Sequence, residues 1–274
     1  MSKIVIAGSS NIDMTVCVKS IPRPGETIGG GKFIQTNGGK GANQAVASGR
    51  MGGNPLFLTC VGDDANGHAL KEQLTKDGID TSMMKSSATS PTGVALIYVD
   101  EQGENCIAVA PGSNAELLPE DIEAAREQIS QAEWMLLQLE IPMETVCKAV
   151  DVAHEVGVKV ILNPAPMFPV PDETLAKLYL ITPNETEAEK LTGIKVETPE
   201  DARRAADARF HGRYRGDPGP QARLAARQAG RGQGGRYPAH GSRRHSLDAQ
   251  CARIGHRIQS FRDKLPACHF RLCE

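Results

Sequence analysis

Asn37-Gly38-Gly39-Lys40-Gly41-Ala42-Asn43-Gln44-Ala45 is a run in which glycines give way to small residues that pack closely in a helix. Glycine weakens a helix interior but lets other backbone approach its first turn. The stretch therefore predicts a helix over 41–50 that opens from glycines. Its amides are placed either to meet a ligand or simply to begin a helix, and the spacing alone leaves both open. The GxxxxGK[ST] spacing of a Walker loop is absent. Immediately upstream, Lys32-Phe33-Ile34-Gln35 has strand character, so the junction is strand-to-helix.

The same alternation continues outward. Lys3–Ala7 is a short apolar run closed by Gly8-Ser9-Ser10, a buried strand followed by a turn. Pro55–Val61 predicts one buried strand, and Gly67–Asp77 an amphipathic helix with Leu70 and Leu74 four apart. Pro119–Ala132 predicts a helix with acids in its first turn. Apolar strands at 134–139, 158–162 and 180–182 then alternate with helices at 144–156, 174–178 and 185–191. That order is the pattern of a parallel sheet flanked by helices. Two hairpin-like pairs, near 14–36 and 93–110, break the rhythm and predict a small separate sheet, placed as a lid.

Composition bounds the function. The 274 residues are 40% hydrophobic and 23% charged, ordinary for a globular chain long enough to bury a core. No run approaches the ~20 apolar residues of a membrane span. The N-terminus reads as a strand and not a signal peptide. Seven scattered cysteines without a CxxC pair argue for reduced thiols and a cytoplasmic setting. Those at 17, 60, 106 and 147 lie in or beside apolar segments and are expected to be buried. Trp134, opening an apolar strand, is expected in the core.

Four clusters lie at strand-to-loop junctions, where open α/β sheets bind ligands. Gly8-Ser9-Ser10-Asn11-Ile12-Asp13 carries two side chains able to accept hydrogen bonds from hydroxyls, Asn11 and Asp13. Taken alone, it reads as a turn built on Asx chemistry. The glycine-rich run at 37–45 is the second. In the third, Gln138-Leu139-Glu140, an acid follows an apolar strand, either solvated or able to hold a polyol. The fourth, Thr182-Pro183-Asn184-Glu185-Thr186-Glu187, offers a helix cap at Thr182 or Asn184. Alternatively, Asn184 and Glu187 position a hydrated metal and phosphates.

Taken together, GSSNID, NGGKGANQAVA, LQLE, LNPAP and TPNETEAEKLTG resemble the ribokinase branch of the sugar-kinase family that also contains fructokinases and adenosine kinases. The resemblance runs in order from residue 3 to about 208. It implies a ribokinase-like α/β fold, a mostly parallel sheet flanked by helices with a small β-sheet lid over the sugar. It also implies ATP-dependent phosphorylation of D-ribose or a related sugar such as deoxyribose. Carried over, Asn11, Asp13, Gly38, Gly39, Lys40, Asn43 and Glu140 bind sugar hydroxyls. Asn184 and Glu187 serve the nucleotide phosphates, with Glu187 reaching Mg2+ indirectly. ATP, Mg2+, activation by K+ and a homodimer formed through the lid follow from the same resemblance.

The chain departs from that pattern after Ala208. Residues 1–208 carry 17 basic and 29 acidic side chains, and residues 209–274 carry 14 and 4. The last 66 residues contain 13 arginines, six Leu or Ile, and no Val or Met. The family's DTxGAGD signature, whose last Asp is the general base, does not occur, so no catalytic base is assigned. The change reads as a shift of reading frame near Arg209. Read one nucleotide forward, His211–Gln221 permits M-G-V-[T/I]-V-V-[T/I]-L-G-P-[K/R], a strand ending in the family's T-L-G turn. The same shift over Gly241–Ser246 permits A-V-D-A-T-A, the approach to the missing signature. Residues 1–208 are thus expected to form the sugar-kinase domain, and 209–274 an irregular basic tail too poor in apolar residues to offset its ordering entropy. A catalytically inactive sugar binder is the alternative. An RNA-binding tail is the third reading, but the segment has no RRM, KH or zinc spacing, so neither nucleic acid nor membrane is expected as a partner.

Overall fold

A computed structural model describes residues 4–208 and the backbone of Arg223 and Leu224. In chain order the elements begin with β1 (Ile4–Ala7), β2 (Asn11–Cys17), β3 (Lys32–Gly38), α1 (Lys40–Arg50), β4 (Leu56–Leu58), β5 (Cys60–Gly62) and α2 (Ala65–Lys76). Next come β6 (Lys85–Ser87), β7 (Gly93–Val99), β8 (Asn105–Ala110), α3 (Pro119–Ala124), α4 (Arg126–Ser130) and β9 (Trp134–Leu137). The chain continues through α5 (Met143–Glu155), β10 (Lys159–Leu162), α6 (Asp172–Leu175), β11 (Leu180–Ile181), α7 (Glu185–Thr192), α8 (Pro199–Ala206) and β12 (Arg223–Leu224).

The main sheet has the order β12-β11-β10-β9-β1-β4, with its neighbouring strands paired in parallel. Its central strands read as continuous apolar runs because helices cover both faces of such a sheet. Ile6 sits level with Leu136 on one side and Phe57 on the other. Val5, Ala7, Met135, Leu137 and Leu162 form the core with Val146, Ala149 and Val150 of α5. The four strands expected outside this sheet do lie outside it, in a second sheet of order β3-β2-β7-β8. The chain divides into two compact units, and 13–36 and 95–109 fall in the second, smaller one.

The structure corrects several expectations. The single strand foreseen at 55–61 is two, in different sheets. At buried Thr59 the backbone changes partner, β4 lying beside β1 and β5 beside β6. Apolar periodicity carries no mark of such an exchange. The helix foreseen at 119–132 breaks at Ala125 (φ −91°, ψ 6°), whose amide bonds three residues back to Ile122. Ile122, Ala125 and Ile129 are all fully buried, so the break does not alter the apolar face. Cys106 is exposed along with all of β8, whereas Cys17 and Cys60 are buried. Trp134 is only half-buried, with Tyr179 against its edge and the Lys159 ammonium 4.9 Å from the ring centre. Of the tail, which is expected to be irregular, Arg223–Leu224 pairs with β11 at the sheet edge. Backbone groups alone make that pairing. The remainder of that expectation lies outside the described residues.

Asp64 ties the start of β7 to helix α2. Its Oδ1 accepts from Gly67 N at 2.7 Å and Thr92 Oγ1 at 2.7 Å, and its Oδ2 accepts from Thr92 N at 2.8 Å. Burial raises the carboxyl's pKa, but the hydrogen bonds from Thr92 and Gly67 outweigh it and hold the group below its ordinary value. The native state therefore releases this proton more readily than the unfolded chain. The resulting stability is present above the unfolded value of about 3.9 and is lost as pH falls through the lower folded value. Asp64→Ala is expected to cost about 2 kcal/mol in urea denaturation near pH 7. Asp64→Asn should remove this component of acid sensitivity from the stability–pH curve.

Candidate active site

Helix α1 starts at a glycine with no capping side chain. Gly39 holds φ 91° and ψ 135°, a conformation that favours glycine. A Cβ there would lie 2.8 Å from Ser9 O, and one on Gly41 would lie 2.6 Å from Gly8 C and Ser9 N. The glycines thus bring the helix start against the β1–β2 turn. The free amides of the first turn are taken up within the protein. Lys40 N donates to Glu140 Oε2 at 2.9 Å, Ala42 N to Ser9 O at 2.9 Å, and Gly41 N to Ser9 Oγ at 3.4 Å. The idea that these amides face a ligand is corrected for these three.

Glu140 joins the pieces. Ser9 Oγ donates to its Oε2 at 2.5 Å, and Lys40 Nζ lies 3.0 Å from Oε1. The Glu140 side chain keeps 16% of its surface and Lys40 keeps 40%, so the pair stands at a solvent-reached edge. Beneath it, buried Gln138 donates from Nε2 to Gln44 Oε1 at 2.5 Å. Asn43 is exposed and its side chain has no partner among the described residues. Ser9, Lys40 and Glu140 thus form one cluster at the carboxyl ends of β1 and β9, with Gly38, Gly39 and Asn43 around the same helix start. This edge of an open α/β sheet is where ligands bind.

The structure separates Asn11 from Asp13 in role. Asn11 is buried, and its Oδ1 accepts from Asn114 Nδ2 at 2.7 Å. That contact occupies one of the two lone pairs of the Asn11 oxygen. Asp13, half-buried and two residues further along β2, belongs to the second unit. Asn114 itself went unread in the sequence. It stands in the 3-10 turn Gly112–Glu116, among small residues that show no periodicity.

Asn184 and Glu187 follow β11, two strands from β9 and so about 10 Å along the sheet edge. They form a reciprocal capping box on α7. Glu187 N donates to Asn184 Oδ1 at 2.8 Å, and Asn184 N donates to Glu187 Oε2 at 2.8 Å. Asn184 Nδ2 also reaches Glu187 Oε1 at 3.1 Å. Of the two caps foreseen, Asn184 is the one used; Thr182 instead bonds the end of β10. No cluster of three or more metal-ligating side chains occurs among the described residues. One carboxylate and one amide suit a cation that keeps most of its water and binds phosphate oxygens, as Mg2+ does, and do not suit an all-protein cage.

Residues 1–213 match the pfkB family of carbohydrate kinases. The chain is 41% identical over 208 residues to the ribokinase of Haemophilus influenzae, covering 76% of this chain and 68% of that protein. It is 38% identical over 204 residues to a deoxyribokinase of Salmonella typhi, covering 74% and 67%. The structure of Arabidopsis thaliana ribokinase complexed with ribose and ATP superposes with a TM-score of 0.67 at 33% identity, over 74% of this chain and 66% of that one. The chain belongs to the pfkB family of carbohydrate kinases.

Gly41→Ala tests the docking of α1. The added carbon meets backbone on the neighbouring turn, which cannot yield as a side chain end would. Thermal denaturation should show a loss of about 1–3 kcal/mol.

Proposed function

We propose that residues 1–208 form the sugar-binding and phosphate-approach part of an ATP-dependent ribokinase, which transfers the γ-phosphoryl group of ATP to the 5-hydroxyl of D-ribose. The observation that carries this reading is Glu140, gripped by Ser9 and the first turn of α1 at a solvent-reached sheet edge. A carboxylate held there, with Asn11, Gly38, Gly39, Lys40 and Asn43, orients one hydroxyl among several. Orientation is most of what phosphoryl transfer asks of a protein. Asn184 and Glu187 lie on the nucleotide side, where Glu187 would meet Mg2+ through its water. Mg2+, when bound, neutralises charge on the phosphates. Activation by K+ rests on family resemblance, with no residue assigned. A reduced, cytoplasmic setting is supported by seven scattered cysteines without a CxxC pair. Among the described residues no helix is long and apolar enough to cross a membrane.

In the transfer, the sugar oxygen bonds to the γ-phosphorus, ADP departs, and the hydroxyl proton passes to a base. The sequence as it stands holds no DTxGAGD signature to supply that base, which favours a second reading for this chain, an inactive sugar binder. General-base assistance contributes ~10²–10⁴-fold, and each oxyanion-type donor ~10²–10³-fold. Sequencing the coding DNA across codons 200–274 should reveal a frame change near codon 209. In a coupled assay with ribose, ATP and Mg2+, the frame-corrected protein should turn over and the present chain should show no activity. Equal rates would place the base elsewhere, and 2-deoxyribose as a parallel substrate decides between the two sugars.

A homodimer through the small sheet is part of the same proposal. Phe33, Leu96, Tyr98, Ile107 and Val109 stand exposed on β3, β7 and β8, a concentration of apolar surface that suits a second copy. Size-exclusion chromatography with light scattering should give twice the chain mass, falling to one in Ile107→Glu. A monomeric wild-type chain sinks this assembly.

A further inference from the structure

We infer that Asn114 is a positioning residue for Asn11, fixing which end of that amide is offered to the sugar; the inference rests on the sugar-site reading above. Asn114 is 1% exposed and its side chain meets four backbone or side-chain atoms. Its Oδ1 accepts from Ser10 N at 2.8 Å. Its Nδ2 reaches Asn11 Oδ1 at 2.7 Å, Pro111 O at 2.9 Å and Ser10 O at 3.1 Å.

These contacts set the amide's orientation chemically. Ser10 N is a donor, so the atom facing it is the Asn114 oxygen. Ser10 O and Pro111 O are acceptors, so the atom facing them is the nitrogen. A donor then faces Asn11, and Asn11 must answer with its oxygen. The polar atom of Asn11 still to be used is Nδ2, whose hydrogens have no acceptor among the described residues. Asn11 is thereby offered as a donor to a hydroxyl oxygen, and its rotation is blocked because a flip would set two NH2 groups against each other.

The surroundings lock the pair. Ser113 N donates to Pro91 O at 2.8 Å and Ser113 Oγ to Cys60 O at 3.1 Å, which anchors the 3-10 turn that carries Asn114. A Cβ on Gly93 would lie 2.4 Å from both Asn11 Oδ1 and Asn114 Nδ2. The first residue of β7 is thus a glycine lying directly against this hydrogen bond. Without any side chain that touches sugar, Gly93 and Asn114 define the donor end of one that does.

The test is calorimetric titration of D-ribose into the full chain, wild type and variants, with circular dichroism as the check on folding. Asn11→Ala should weaken ribose binding. Asn114→Leu should weaken it by about tenfold, the value of one well-made hydrogen bond in a desolvated site. Combined with Asn11→Ala, Asn114→Leu should cause no further loss, an outcome that a purely structural role would not give. Gly93→Ala, which wedges the pair while leaving Asn114 in place, should behave as Asn114→Leu does. If wild type does not bind ribose, or Asn11→Ala binds as well as wild type, the sugar-site reading fails and takes this inference with it. If Asn11→Ala weakens binding but Asn114→Leu does not, or if its loss is equal on both backgrounds, the positioning role alone is overturned. Failure of both Asn114→Leu and Gly93→Ala to fold also overturns it, because the pair would then serve the fold and not the sugar.

Discussion

The start of helix α1 has no cap of its own, and the site is built around that deficit. A helix N-terminus carries unpaired amides and a partial positive charge. Here the β1–β2 turn supplies the Ser9 carbonyl and hydroxyl, and the end of β9 supplies the Glu140 carboxylate. Two chain segments that are distant in sequence converge on one turn of helix. Gly39 and Gly41 permit it, since side chains at either position would strike the backbone of residues 8–11. The acid that caps the helix is the same acid that stands at the solvent-reached edge, so the stability of the junction and the chemistry of the site depend on one carboxylate.

The other helices near this edge are closed differently. Helix α7 is capped by Asn184 with Glu187, and α8 by Thr198 with Asp201, each a reciprocal pair three residues apart. Those ends are complete in themselves and need no other part of the fold. Helix α1 is closed only when the sheet is assembled, so its first turn is in register with the strand ends whenever the protein is folded. A site that orients a hydroxyl needs that kind of rigidity, because a displacement of even 1 Å misdirects the reacting oxygen.

The parallel sheet gathers the remaining groups. β1, β9, β10 and β11 all end at one edge, and Ser9, Glu140, Asn163 and Asn184 each follow one of those ends. Asn163 Nδ2 donates to Thr182 O at 3.3 Å, tying the ends of β10 and β11 together. Glu140 and Asn184 are thereby set about 10 Å apart along a single edge, a separation imposed by strand order. The charge break after Ala208 falls beyond α8, in a region whose composition can supply little further apolar surface.

Much of this was legible in the chain itself. The alternation of apolar strands and helices placed most elements within a few residues, and the unrhythmic segments near 14–36 and 93–110 foretold a separate small sheet. Asn184 was readable as a cap because a capping box is a local pattern, four residues long. What tertiary structure alone decided involves residues far apart: Ser9 and Glu140 are 131 positions from each other, and Asn11 and Asn114 are 103. The exchange of sheet partner at Thr59 and the break at Ala125 belong with these. Periodicity reports which face of an element is buried, and both features leave that face unchanged. A polar contact between distant segments has no period at all, so Asn114, one short side chain in Gly112-Ser113-Asn114-Ala115, carried no signal until folding set it against Asn11.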